Sequence, residues 1–526
     1  MPELGRRELL RGLAVTGALT GAGGLLAACG HSAANPAGAA HSRTPNRGGN
    51  LKIGMSGGSS SDTLDPHQGL TYLDTGRFEA LYQPLVKLSG TAAIEYVLAE
   101  SITPNHGSLS EWIIKIRPGV AFHSGKDLTA DDVVYTIQRI ISKGFSGAHF
   151  FGPTDLKNVK ALDKLTVQVP MASPFGSFVD QLAGGWYYLY VVPSGFDGKK
   201  PDGTGPFAFQ SFTPGQRSVF VRNKNYWKHG LPYADALTII DFSDNAAVQD
   251  ALVTGSIQAA GQLDPPQIPA LRNASGVRPV ASRTGQFKPF TMRIDQAPFN
   301  DVNVRQALRL LVDRQQLINS ALDGFGAVAS DVFSPYDPGF DKSLHRQQDI
   351  PQAKSLLKKA GMENMTVTLT TSAVATGMVA MATVLAEQAA AAGVTIKIHQ
   401  VDPGTFFGAN YLSWTFSQDY YSYAPYLNQV AQSFLGSSSP FNETHSNNPH
   451  YESLYAQANA TANPSTRQQI EHEMQQFDFS QGPYIIPTFM DTLDAYSDKI
   501  AGYATGSQRA VGEPLSNWDM EHFWFV

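Results

Sequence analysis

Residues 112–134 read WIIKIRPGVAFHSGKDLTADDVV, and this stretch decides the architecture. Trp112, Ile114 and Ile116 alternate as the buried side of a strand does. Arg117-Pro118-Gly119 supplies a turn. Thr129-Ala130-Asp131-Asp132 then opens a helix, since the Thr129 hydroxyl can cap the first turn and two aspartates suit its positive end. Val133, Val134, Ile137, Ile140 and Ile141 fall on one apolar face of that helix. Strand, turn and capped helix in one run predict layered α/β structure.

Working outward, the same grammar recurs. Leu51, Ile53 and Met55 alternate, as do Leu165, Val167 and Val169 before Pro170. Val304, Ala307, Leu308, Leu311 and Ile318 have the spacing of one helix, and residues 350–360 form another, with Pro351 at its start and Gly361 as its stop. An Ala- and Met-rich helix over 378–392 ends at Gly393 and leads into a strand from Val394 to Ile398. Residues 465–479 give one more helix, with Ile470, Met474 and Phe477 facing inward. No period of 20–50 residues repeats, which excludes solenoids and propellers.

The chain has 526 residues, enough for two to four domains, with 42% hydrophobic and 16% charged residues. Its 39 Lys+Arg against 45 Asp+Glu give a net charge of −6, without basic runs, which speaks against a nucleic-acid binder. A single cysteine excludes an internal disulfide framework, a Cys-rich zinc site and a CxxC centre. That cysteine, Cys29, closes an N-terminal address. Arg6, Arg7 and Arg11 precede an uncharged apolar stretch from Leu13 to Ala28, the plan of an export signal. Residues 5–11 resemble the twin-arginine motif, and Leu26-Ala27-Ala28-Cys29 resembles a bacterial lipobox, which implies a signal peptide over 1–29 and lipidation of Cys29. Small polar residues follow, a flexible tether over 30–47 that reaches roughly 25 Å.

The search for catalytic chemistry finds little. There is no HExxH, no phosphate-binding glycine loop and no CxxC, and the histidines are scattered, His445 and His450 being the closest pair. Gly54-Met55-Ser56-Gly57-Gly58 fits the GxSxG nucleophile pattern, but a loop rather than a helix is expected after it. Gly203-Thr204-Gly205-Pro206-Phe207-Ala208 reads as a turn entering a strand. Aromatic clusters are the stronger signal: Trp186-Tyr187-Tyr188 with Tyr190, and Trp414 followed by Asp419-Tyr420-Tyr421, Tyr423 and Tyr426. Consecutive tyrosines cannot all enter one core, and loop aromatics beside a carboxylate suit a ligand cleft.

Several segments together resemble the family 5 extracellular solute-binding proteins of ABC importers, the peptide-binding group. They are Thr63-Leu64-Asp65-Pro66, residues 112–133, Gly203 to Phe207, Asn223-Lys224-Asn225-Tyr226-Trp227, Phe299-Asn300-Asp301, Val304-Arg305-Gln306-Ala307-Leu308 with Asp313-Arg314, and residues 353–361, all in family order. The resemblance implies a two-lobed flytrap with an additional inserted domain. Domain I is expected at 48–88, 193–287 and 488–526, domain II at 89–192 and domain III at 288–487. It also implies an extracytoplasmic monomer that needs no cofactor, metal or catalytic residue. Such a protein captures a peptide between its lobes and delivers it to a membrane permease and its ATPase. Trp414, Asp419, Tyr420, Tyr421, Trp186 and Tyr72 are the expected ligand contacts, with Asp419 taking the ligand amine. Its spacing of five from Trp414 is wider than the family's dipeptide-binding form. The arginine that dipeptide binders carry before the Met378 helix is replaced by Thr371-Ser372-Ala373-Val374-Ala375-Thr376-Gly377, which speaks against strict dipeptide specificity. The rival readings are an oligosaccharide receptor on the same fold and a secreted hydrolase using Ser56.

Overall fold

The computed structural model describes residues 44–69, 71–504 and 511–526. The leader, Cys29 and the tether up to residue 43 lie outside the described residues. Pro45–Val526 forms one unit. Three sheets organise it.

The largest sheet has eight strands. Its order runs Val277–Phe287, Thr488–Ser497, Ala259–Ala260, Asn50–Ser56, Ala236–Phe242, Arg217–Arg222, Phe207–Thr213, with Gly326–Val328 added on Thr488–Ser497. Asn50–Ser56 is parallel to both Ala236–Phe242 and Ala259–Ala260. A second sheet of four antiparallel strands lies within 99–170 and contains Ser108–Ile116. A third, of five strands, runs Thr395–Val401, Thr366–Ser372, Phe416–Gln418, Phe290–Met292, Tyr484–Ile485. Each sheet has its own apolar core: Leu51, Phe78 and Leu237 in the first, Trp112, Ile114 and Ile137 in the second, Leu308, Leu369 and Leu385 in the third. The chain passes from the first sheet to the third at Lys288-Pro289 and returns at Ile486-Pro487. These crossings, with Gly326–Val328 rejoining the first sheet between them, link two α/β layers in the two-lobed plan of a periplasmic binding protein, with the four-stranded sheet as the additional domain.

Local sequence explains the elements. Residues 108–116 form the expected strand, and Ala130–Ser142 the expected helix, with Thr129 N donating to Asp132 Oδ2 at 3.0 Å as in a capping box. The single helix expected through 304–318 is two, Val302–Leu310 and Arg314–Leu322. The reason is Asp313, whose carboxylate accepts from Gln316 N at 2.8 Å and starts a new helix where the apolar spacing alone would continue the old one. Phe207 begins a strand, as the Gly203–Pro206 turn predicts.

Several of the family-like segments turn out to be braces. Asp65 takes the Arg139 guanidinium at 3.1 and 2.6 Å, tying the loop after the first strand to the helix Ala130–Ser142. Arg314 holds Asp331 with two bonds of 2.9 Å. Arg305 donates to the carbonyls of Phe299 and Gln481 at 2.7 and 2.8 Å, and Trp227 donates to Gln83 at 2.7 Å.

Candidate ligand cleft

Parallel strands leave a crevice beyond their carboxyl ends, where α/β proteins place ligands. In the first sheet those ends are Ser56, Phe242 and Ala260; in the third, where Thr366–Ser372 is parallel to Thr395–Val401 and to Phe416–Gln418, they are Ser372, Val401 and Gln418. The two edges face each other. Thr376, just after Ser372, donates its hydroxyl to Asp264 Oδ1 at 2.8 Å, and Asn245 holds the other Asp264 oxygen at 2.9 Å. Lys288, on the first crossing, donates to the Thr376 carbonyl. Burial lowers its ammonium to about 8 despite Asp264 nearby. A cation therefore reaches the 371–377 loop from a crossing segment far off in sequence, although the loop itself has none.

Asp419 stands at the carboxyl end of Phe416–Gln418 and is 4% exposed. It accepts from the Tyr411 hydroxyl at 2.9 Å and from Tyr420 N at 2.7 Å. A carboxylate offers about four acceptor positions, so two remain open. Burial pushes its pKa up to about 6, against the pull of these two neutral donors. Among the described residues no cation pairs with it. Behind it lies Glu443, whose oxygens accept from the hydroxyls of Tyr421 and Tyr484, at 2.9 Å each. Burial, with the Asp419 charge beside it, raises that carboxyl well above the usual carboxylate range. Next to Asp419, Gln418 Nε2 and Ser372 Oγ are buried without a hydrogen-bond partner among the described residues. Buried polar groups are normally satisfied, so their concentration at one sheet edge marks a place built for something else.

The expected aromatic contacts separate into two groups. Successive side chains on extended backbone point to opposite faces. Tyr420 is accordingly exposed, while Tyr421 is buried, stacks on Phe287 at 5.3 Å and serves Glu443. Trp414 is half-buried, donates to the Phe406 carbonyl at 3.2 Å and stacks on the Phe406 ring; it braces the loop that carries Tyr411. Trp186, 1% exposed, belongs to the core of the first lobe, and its neighbours Tyr187 and Tyr188 are the half-exposed members of that run. Tyr72 opens the helix Tyr72–Leu81 and lies against Ser422 and Gln286. Tyr411, Glu443, Lys288 and Glu513 carry no local sequence signal and emerge only from the fold.

Ser56 donates its hydroxyl to Asn245 Oδ1 at 2.7 Å, and the next helix begins only at Tyr72, so the strand-to-helix elbow of a serine hydrolase is not formed. His445 lies beside Asp295, and His450 is 3.5 Å from Glu473. Asp519, Glu521 and His522 are the one group with metal-ligand spacing among the described residues, and Glu521 already carries Lys228 at 2.7 Å.

The lobes also touch through a second set of bonds. The Asn459 side chain accepts from the Ser177 hydroxyl at 2.6 Å and from its N–H at 3.1 Å, and Asn428 donates to the Gln181 carbonyl at 3.2 Å. A Cβ on Gly184 would meet Asn428 at 2.6 Å, so only glycine allows this approach.

Comparison with known proteins agrees with this geometry. Residues 93–444 match the bacterial extracellular solute-binding proteins, family 5. The chain belongs to that family, whose members are extracytoplasmic binding components of ABC transporters. It is 25% identical over 469 residues to the glutathione-binding protein GsiB of Escherichia coli strain 536, covering 85% of this chain and 90% of that protein. Among solved structures it is similar to the binding protein AgaA of A. tumefaciens R10 in complex with agropinic acid. The TM-score is 0.79 at 20% identity, over 91% of this chain and 99% of the other. It also resembles DppA of Helicobacter pylori in complex with the peptide STSA, with TM-score 0.77, 20% identity, and coverage of 91% and 98%. Among the described residues no helix is long and apolar enough to cross a membrane.

Proposed function

We propose that this protein captures peptides through their free amino terminus and hands them to an ABC permease. Asp419 carries the reading. It is a buried acid with two neutral donors, no cationic partner among the described residues and open acceptor positions at the edge of a ligand crevice. A ligand ammonium supplies the missing charge in a charge-assisted bond. The likeness to DppA, solved with a peptide, supports the same class of solute. Lys288 stands ready for a ligand carboxylate or carbonyl across the cleft. Peptide contacts to both lobes would hold them closed, the form a permease reads.

The lobes in this reading are domain I (48–88, 193–287, 488–526) with domain II (89–192) against domain III (288–487). Lipidation at Cys29, made the new N-terminus by removal of residues 1–28, would keep the protein at the outer face of the membrane, two acyl chains sufficing for stable anchoring. Mass spectrometry of the membrane-extracted protein tests this, since an unmodified thiol at Cys29 would refute it. The ligand reading is tested by thermal shift against peptide and oligosaccharide panels. A ligand at about 100 times its Kd adds about 2.7 kcal/mol. Shifts with peptides are expected, and shifts with oligosaccharides alone would overturn the reading in favour of a sugar receptor.

A further inference from the structure

A second buried acid lies in the same cleft. Glu513 is 3% exposed and sits where segment 511–513 is pinned, the Gly512 carbonyl accepting from Gln286 Nε2 at 2.8 Å and from the Thr492 hydroxyl at 2.6 Å. The Glu513 carboxylate accepts from the Ser422 hydroxyl and from the Trp518 indole N–H, both at 3.2 Å. Both donors are neutral, and among the described residues no Lys, Arg or His pairs with it. Tyr72, Tyr187 and Tyr188 feel its charge, and Tyr420 stands against Tyr72 and Tyr188. These four rings are half-buried or exposed, and three of them lie within electrostatic reach of the buried acid. The residues around Glu513 come from four separate segments and both lobes. Ser422 is three residues from Asp419, so about 10 Å of extended chain separates Asp419 from the residue that donates to Glu513.

A carboxylate removed from water without a counter-charge is costly; three other buried aspartates of this protein, Asp62, Asp65 and Asp331, each hold an arginine, whereas Asp478 is held by the hydroxyls of Tyr426 and Tyr451. Aromatic faces around a carboxylate make the setting that receives an alkylammonium or a guanidinium, through ring quadrupoles and a direct ion pair together. We infer that Glu513 and the tyrosines beside it form a pocket for a second positive charge on the solute, so that the preferred ligands are peptides with a lysine or arginine near the amino terminus. This rests on the peptide reading above and adds the side-chain class. The direction of the Glu513 titration agrees, burial raising it to about 7.

Calorimetry with full mature protein tests the inference, using Ala-Lys-Ala, Lys-Ala-Ala and the neutral isostere in which norleucine replaces lysine. Wild type is expected to bind at least one lysine peptide about tenfold tighter than its norleucine counterpart. Glu513→Gln removes the charge, while its amide oxygen can accept from Trp518 and its amide nitrogen can donate to the Ser422 hydroxyl, and it should erase that difference. A wild type without preference for the charged side chain overturns the inference whatever the variant does, and so does a variant that retains the preference. If no peptide binds at all, the peptide reading fails separately. Agmatine then probes the pocket: a thermal shift lost in Glu513→Gln keeps it, and no shift with wild type removes it.

Discussion

Asp331 and Asp419 are both aspartates with almost no exposure, 2% and 4%, in opposite electrical settings. Asp331 holds Arg314 through two bonds of 2.9 Å and Arg346 besides. Burial alone would raise its carboxyl, and the guanidiniums outweigh burial and hold it below the usual range. Asp419 has only a hydroxyl and its neighbour's N–H, so burial prevails. The first acid is complete within the chain, and the second lacks a cation. The difference separates what builds this protein from what it is built to hold, because natural sequences leave stability rules broken at functional sites.

The largest effect expected is on stability. Asp331→Asn strands two buried arginines and should cost about 3–5 kcal/mol in denaturant unfolding. Asp419→Asn should cost under about 1 kcal/mol at low pH and become stabilising near neutral pH. The sign follows from linkage: a carboxyl raised in the fold binds its proton more tightly there than in the unfolded chain. Its contribution is therefore lost as pH climbs from the ordinary carboxylate range through about 6. Equal losses in the two variants would erase the distinction.

Ligand binding should reverse the ranking. Asp419→Asn is expected to weaken a peptide with neutral side chains by about 1.5–3 kcal/mol, roughly 10- to 100-fold by titration calorimetry. The N-acetylated peptide should bind wild type as weakly as the free peptide binds the variant. Unchanged affinity would take Asp419 out of the site.

A smaller effect is expected where the lobes meet. Asn459→Ala leaves the Ser177 donors without their acceptor and biases the lobes apart by about 1 kcal/mol. Peptide affinity should fall about fivefold with its pH profile intact. A changed profile would mean that Asn459 acts on the site itself.

The same contrast marks what the sequence discloses. Thr129 with Asp132 and the Gly203–Pro206 turn are local chemistry, legible because cap and turn lie within a few residues of what they satisfy. Asp419 and Tyr420 are visible as an aromatic loop with a carboxylate, yet the pattern cannot separate Tyr420, which faces the cleft, from Tyr421, which faces the core. Trp186 and Trp414 are drawn in by the same signal and serve packing. Lys288 and Glu513 are invisible because what they face comes from elsewhere in the chain: Thr376 and Asp264 for one, Tyr72, Tyr187 and Ser422 for the other. Apolar spacing gives helix Val302–Leu310 its face but misses its end, because a single aspartate outranks the period.

Proton linkage reads the incomplete acid directly. In free protein below about pH 6 Asp419 is largely protonated, and a bound ammonium requires it ionised, so binding must expel the proton. Calorimetry of a peptide with neutral side chains at about pH 5.5, in buffers of different ionisation enthalpy, should register release of more than about half a proton. Affinity should climb with pH and level off near neutrality, with both effects absent in Asp419→Asn. Binding without proton exchange, or with the same release in the variant, would contradict a buried carboxylate kept for the ligand's charge.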